Sequence, residues 1–179
     1  QIGNPLMFTE GNKFTQIANE YRFVGNAFLE YIFLKDFTFK MSYFADLGFN
    51  DGRGYTPLYK VFNAETDQVV NWNTKSGVSQ YRNAYNKYQQ DYLLTYKNKF
   101  GDHGITLLGG FTTYFENFNQ ISGSITQYAG GNPIPYDKRW WYLNVYPYGD
   151  PESQKNSSGQ WERATVSTLF RALYNYKSK

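Results

Sequence analysis

The chain has 179 residues, a formal net charge of +3 and no cysteine, which excludes a disulfide framework and thiolate metal sites. Its 18 basic and 15 acidic residues are interspersed, a charge too weak and scattered to mark a nucleic-acid surface. Aromatic residues reach 21% at a mean hydropathy of -0.66; no window approaches about 18 uninterrupted apolar residues, so a transmembrane helix is excluded, and no secretory leader is read at Gln1.

Residues 1–19 carry Gly, Asn and Pro without a sustained period and read as a loop. The Glu20–Asn50 stretch then alternates twice. In its first half Tyr21, Phe23, Gly25, Ala27, Leu29, Tyr31 and Phe33 share one side. Arg22, Val24, Asn26, Phe28, Glu30, Ile32 and Leu34 share the other. After a turn at Lys35-Asp36, Phe37, Phe39, Met41, Tyr43, Ala45, Leu47 and Phe49 alternate with Thr38, Lys40, Ser42, Phe44, Asp46, Gly48 and Asn50. Side chains of a strand alternate sides, so this period predicts two long strands with one apolar and one wet face.

A turn-rich break, DGRGYTP, follows, with Gly52 and Gly54 supplying a permissive backbone. Tyr59–Phe62 and Gln68–Trp72 predict a small hairpin, and polar residues run on to Gln80. Tyr81–Tyr96 is the third long strand, with Tyr88, Gln90, Tyr92, Leu94 and Tyr96 opposite Lys87, Gln89, Asp91, Leu93 and Thr95. Tyr81, Tyr85, Tyr88 and Tyr92 also fit a helical spacing, and periodicity alone leaves both open. The turn KNKFGDHG precedes an alternating Ile105–Phe115. A long connection from Glu116 to Gln160 leads to the last strand, Trp161–Tyr176. There a helical stripe of Val166, Phe170 and Leu173 is the alternative.

Connections that run short, long, short, long have the rhythm of outer-membrane barrels, with tight periplasmic turns and long external loops. The predicted fold is therefore all-β: an antiparallel transmembrane β-barrel segment of about five long strands, with residues 51–80 and 116–160 as two long extracellular loops. GNAFLEYIFLKDFTFKMSYFADLGF, then LLTYKNKFGDHGITLLGGF, then LFRALYNYKSK resemble, in that order, successive barrel strands of SusC/RagA-type TonB-dependent transporters of Bacteroidetes. The resemblance implies a larger barrel of about 22 strands around a plug, residing in the bacterial outer membrane. It also implies nutrient uptake of glycans or peptides, a SusD-like surface lipoprotein as lid, and energy from the TonB complex. Residues 1–179 would then be a partial barrel domain with no plug, no TonB box and no closure. Five strands leave open edges that lipid does not tolerate, so the remainder of the barrel and its plug are expected partners. The alternative is a soluble, secreted β-rich carbohydrate-binding module.

Catalysis is not expected, and neither is a cofactor. His103 is the only histidine and falls in a turn, which leaves nothing with which to build a triad or a His-rich metal site. No spacing singles out a pair among Glu30, Asp46, Asp91 and Glu116. Trp72, Trp140, Trp141 and Tyr142 are candidate contacts for ligand or partner, because flat aromatic faces stack on sugars and anchor interfaces. Lys138 and Arg139 beside them supply donors for hydroxyls or carboxylates. The competing expectation is that these aromatics fold their loop onto itself. Tyr21, Tyr31, Tyr43, Tyr96, Tyr174 and Tyr176 suit an interfacial girdle. Glu30, Lys40, Asp46, Asp91 and Arg171 are expected to line the lumen.

Overall fold

The computed structural model of the chain describes residues 9, 11, 13–63 and 65–177, apart from the side chain of Trp72. Most of the loop expected over 1–19 lies outside the described residues, and its last four residues, 16–19, are strand instead. Among the described residues seven strands occur in chain order: β1 (Gln16–Phe33), β2 (Phe37–Thr56), β3 (Tyr59–Asn63), β4 (Gln68–Asn73), β5 (Gly77–Phe100), β6 (His103–Thr126) and β7 (Lys155–Tyr176). The long strands form one five-stranded sheet in the order β1-β2-β5-β6-β7, and β3 pairs with β4 as a separate two-stranded hairpin. The all-β prediction holds, and both helical alternatives are strands. No helix among the described residues is long and apolar enough to cross a membrane.

Each neighbouring pair is antiparallel, and side-chain contacts fix the register. Between β2 and β5, Phe37 meets Tyr96, Ser42 meets Asp91, Gly48 meets Tyr85 and Gly52 meets Tyr81. Between β5 and β6, Asn86 meets Asn117 and Tyr92 meets Phe111. Between β6 and β7, Gly110 meets Leu169 and Gly123 meets Asn156. Because side chains alternate with period two, this register decides which faces coincide. It places the apolar sets of all five strands on the same side, from Phe23 and Phe39 through Tyr92 and Phe111 to Phe170.

Tight turns hold that register. Leu34 and Lys35 have φ of 49° and 62°, left-handed backbone within the three-residue turn 34–36 that joins β1 to β2. The turn takes in Leu34 as well as the expected Lys35-Asp36, and with three residues between the strands Phe33 meets Phe37, which keeps the odd-numbered residues of both strands on one side. Gly101, with φ of 62°, is likewise left-handed between β5 and β6, where no side chain opposes the conformation.

The strands are longer than their alternation predicts. β2 absorbs most of DGRGYTP, β5 starts at Gly77, β6 runs on to Thr126 and β7 begins at Lys155. Gly52 and Gly54 therefore serve not as turn residues but as openings in the sheet, where Tyr81 and Ser79 of β5 lie across the missing Cβ positions. The two long connections shrink to residues 57–76 and 127–154.

The chain divides into two compact units. Unit 1 comprises Gln1–Tyr21, Phe49–Asn83 and Asn119–Gly159; unit 2 comprises Arg22–Gly48, Ala84–Phe118 and Gln160–Lys179. Unit 1 contains the hydrophobic core, made of Tyr55, Val78 and Ile125 from the sheet with Ile134, Trp141 and Val145 from the 127–154 connection. In unit 2 the apolar side chains stand outward: Phe23 is 64% exposed, Leu29 63% and Phe170 74%.

Candidate functional site

On the polar face of unit 2, strand alternation brings charges from separate strands together. Arg22 of β1 donates from Nε to Asp46 Oδ1 and from Nη2 to Oδ2, both at 2.8 Å. Asp46 is only 4% exposed, so the fork-shaped guanidinium compensates a carboxylate withdrawn from water. The guanidinium also lies over the Tyr85 ring, 5.9 Å from its centroid. Two strands further on, Arg163 of β7 reaches Glu116 Oε1 at 2.5 Å, and the Tyr114 hydroxyl donates to Glu116 Oε2 at 2.6 Å. Asp91 accepts from Ser42 Oγ (3.1 Å), Thr112 Oγ1 (2.8 Å) and Gln89 Nε2 (3.0 Å).

Of these groups Arg22 and Glu116 border an open cavity of about 370 Å³, which Tyr85, Lys87, Phe118 and Trp161 also line. Trp161 stacks on Phe118 with ring centroids 6.1 Å apart. Cations, a carboxylate and flat aromatic rings on one wall suit a ligand that is polar and charged at both ends, or one with sugar rings.

The register bears on each residue expected in the lumen. Glu30, Lys40, Asp46, Asp91 and Arg171 do share one face; Lys40 lies over the Phe28 ring at 5.0 Å, and Glu30 and Arg171 are exposed. That face is not purely polar, since Phe28, Ile32, Leu169 and Leu173 occupy it and are exposed as well.

Of the girdle tyrosines, Tyr31 joins a row with Phe33, Phe37 and Tyr96 at centroid spacings of 5.9, 5.4 and 4.9 Å. Tyr174 and Tyr176 pack on His103, whose Nδ1 is 2.6 Å from the Tyr174 hydroxyl. His103 is exposed, at the first position of β6 rather than within the turn, and takes part in this aromatic row. Tyr21 pairs with Phe49 at 5.8 Å. Tyr43 belongs to neither group; it stands mid-strand against Tyr88.

The aromatic residues of the 127–154 connection have different fates. Trp141 is fully buried and stacks on Tyr55, centroids 5.4 Å apart, so it has no face left for a ligand and serves the core instead. Burial pushes the Tyr55 phenol upward from its ordinary pKa, and its hydroxyl donates to the Ile134 carbonyl at 2.8 Å. Ser76 ties the same segment down: its Oγ accepts from Ile134 N–H and donates to Gln127 Oε1, each at 2.7 Å. Trp140 packs edge-on against Tyr148 and remains partly exposed. Tyr142 lies under the Arg53 guanidinium, 4.4 Å from its ring centroid. Arg139 turns back onto Asp137, with Nη2–Oδ2 at 2.6 Å, and Asp137 caps the 3-10 turn Lys138–Trp140. The Arg139 hydrogen bonds hold the Asp137 carboxyl below the usual range. Lys138 is exposed, and its carbonyl accepts from Arg53 Nη1 at 3.4 Å. The Trp72 side chain lies outside the described residues.

Arg22, Lys87, Arg163 and Trp161 were not singled out in advance. The signal was parity: each falls on the polar side once the register is known, but no spacing within one strand reveals a partner on the next.

No family model and no curated protein sequence matches the chain. Solved structures do. The chain is similar to the RagAB peptide transporter, at 13% identity and a TM-score of 0.69, over 96% of this chain and 17% of that one. It is similar to the RagAB peptide importer in the "closed-closed" state, at 12% identity and a TM-score of 0.67, over 90% of this chain and 16% of that one. In the "open-open" state the identity is 12% and the TM-score 0.64, over 95% and 17%. The chain thus spans about a sixth of the length of these structures, and what the likeness shows is the fold: a run of long antiparallel strands as found in one part of those chains.

Proposed function

We propose that the chain supplies wall and extracellular loops to a SusC-like, TonB-dependent importer in the bacterial outer membrane. The observation that carries this reading is the coincidence of five apolar strand faces on one side of a sheet, left uncovered in unit 2. Exposed apolar area of that extent marks a surface meant for another medium, and a sheet with alternating faces is the transmembrane form that needs no apolar helix.

Strand length supports the same medium. About twelve residues of β2 separate the Phe37 row from the Tyr21–Phe49 pair. At ~3.3 Å per residue and ~40° of tilt they would span about 30 Å, the thickness of a hydrocarbon core. The Leu34-Lys35 and Gly101 turns would face the periplasm, and residues 57–76 and 127–154 would lie outside the cell. Free edges on β1 and β7 call for further strands on both sides. A plug would meet Phe28 and Ile32 on the other face, and TonB acting on that plug would drive import.

The substrate reading follows the cavity beside Arg22, Lys87, Glu116 and Trp161. Charges of both signs favour a peptide over a neutral glycan, and the three solved neighbours named as peptide transporter or importer lend support. A SusD-like lipoprotein is the proposed lid over the outer loops. Fractionation of cells expressing the intact protein tests the reading. Recovery in the outer-membrane fraction, released only by detergent, is expected. A monodisperse protein in plain buffer with a cooperative melt would instead favour the soluble carbohydrate-binding module.

A further inference from the structure

The apolar side of the sheet changes character along each strand within unit 1. On β2, Phe49 gives way on the same side to Asp51 and Arg53; on β5 the corresponding positions are Gln80 and Arg82. Gly52 and Tyr81 meet on the opposite side, so Arg53 and Arg82 project where the apolar residues do. There they line a cleft of about 500 Å³ together with Asn19, Asp51, Tyr142 and Asn156. Tyr142 of the 127–154 connection closes one wall, stacked on Arg53, and Asn19 Nδ2 donates to Asp51 Oδ2 at 3.3 Å.

We propose that this cleft binds the anionic, phosphate-bearing headgroup of an outer-leaflet lipid in preference to a zwitterionic one, an inference that rests on the membrane reading above. The chemistry is specific to the place. Two guanidiniums against one carboxylate leave a net positive cleft, and guanidinium forks match phosphate oxygens. The cleft begins one step past the last aromatic pair, Tyr21 and Phe49, which is where acyl chains end and headgroups begin. Stacking on Tyr142 holds Arg53 in place before any ligand arrives, which lowers the ordering cost of binding. Asp51 and Asn19 are left to meet hydroxyls of the headgroup rather than its phosphate.

Native mass spectrometry of the intact detergent-solubilised protein, titrated with phosphatidylglycerol or phosphatidylcholine, tests this. The wild type is expected to retain phosphatidylglycerol preferentially, and R53Q/R82Q to bind it about tenfold more weakly, as expected for lost charge-assisted contacts. R82K, which keeps the charge, should retain most of the preference, and proteolytic resistance of the 127–154 segment checks that R53Q/R82Q still folds. Equal retention of both lipids, or an unchanged preference in R53Q/R82Q, overturns the site while leaving the barrel reading intact. Full displacement of the lipid by inorganic phosphate also overturns it, in favour of a free-anion site. A protein that stays dispersed without detergent and takes up neither lipid overturns the membrane reading itself.

Discussion

The two units solve the problem of an apolar strand face in opposite ways. Unit 1 covers it with its own chain: Ile134, Trp141 and Val145 fold over Tyr55, Val78 and Ile125. In unit 2 the buried side chains among the described residues are Ala45, Asp46 and Glu116, while Phe23, Leu29 and Phe170 stand exposed. Carboxylates inside and phenyl rings outside invert the arrangement of a water-soluble domain. The difference teaches that one strand face can be closed off in one stretch and left open in the next. Where the 127–154 connection is at hand, protein covers the face; in unit 2, among the described residues, it stands exposed.

The largest effect expected from breaking this contrast is at Trp141. Trp141→Ala should cost unit 1 about 3–5 kcal/mol, as for other deleted core aromatics. Hydrogen exchange should report it as lost protection over residues 127–154 with unit 2 strands unchanged. Loss of protection throughout both units would show that they are not separately held. Next comes Leu47→Arg on the uncovered face, expected to destabilise the protein in lipid vesicles by about 2–4 kcal/mol near the midplane. An unfolding titration with no shift would mean that lipid does not contact this face.

A smaller change tests the inverted interior. Arg22→Met removes the partner of Asp46 and should cost about 1–3 kcal/mol, the usual range for a buried acceptor left unsatisfied. Combining it with Asp46→Asn should recover part of that loss, so a double-mutant cycle measures the coupling. A purely additive cycle would remove the ion pair from the account. The smallest effect concerns pH in the outer connection. Because Arg139 lowers the folded-state pKa of Asp137, the contact is fully present above the ordinary carboxylate range. It is lost as pH falls through the lowered value. Tryptophan emission from the 127–154 segment should therefore stay flat from neutral pH down to that range and change only below it; a transition near neutrality would assign the cause elsewhere.

What could be read from the sequence follows the same division. Alternation revealed the strands wherever one side is consistently apolar, as across Tyr21–Phe49. It failed at Gly77–Gln80, at Glu116–Thr126 and at Lys155–Gln160, which are strand in the structure. There one face meets water and the other meets water or the protein's own loop, so no regular apolar pattern is needed to hold a strand. The charged residues of the polar face could be assigned a side, but not their partners. Arg22 with Asp46, and Arg163 with Glu116, depend on register between strands, which turn lengths set and composition does not record. Trp141 looked like a contact residue for a related reason: a bulky ring in a polar loop reads the same whether it waits for a ligand or anchors the loop.

The turn at Leu34 and Lys35 has a reach beyond its size. It places two bulky residues in left-handed backbone and thereby sets the offset of β1 against β2. Deleting a single residue there would move β1 by one position and transpose its inventory, so that Arg22 and Glu30 took the apolar side of the sheet and Phe23 and Leu29 the charged one. The orientation of an entire stave is thus encoded in the length of its bend.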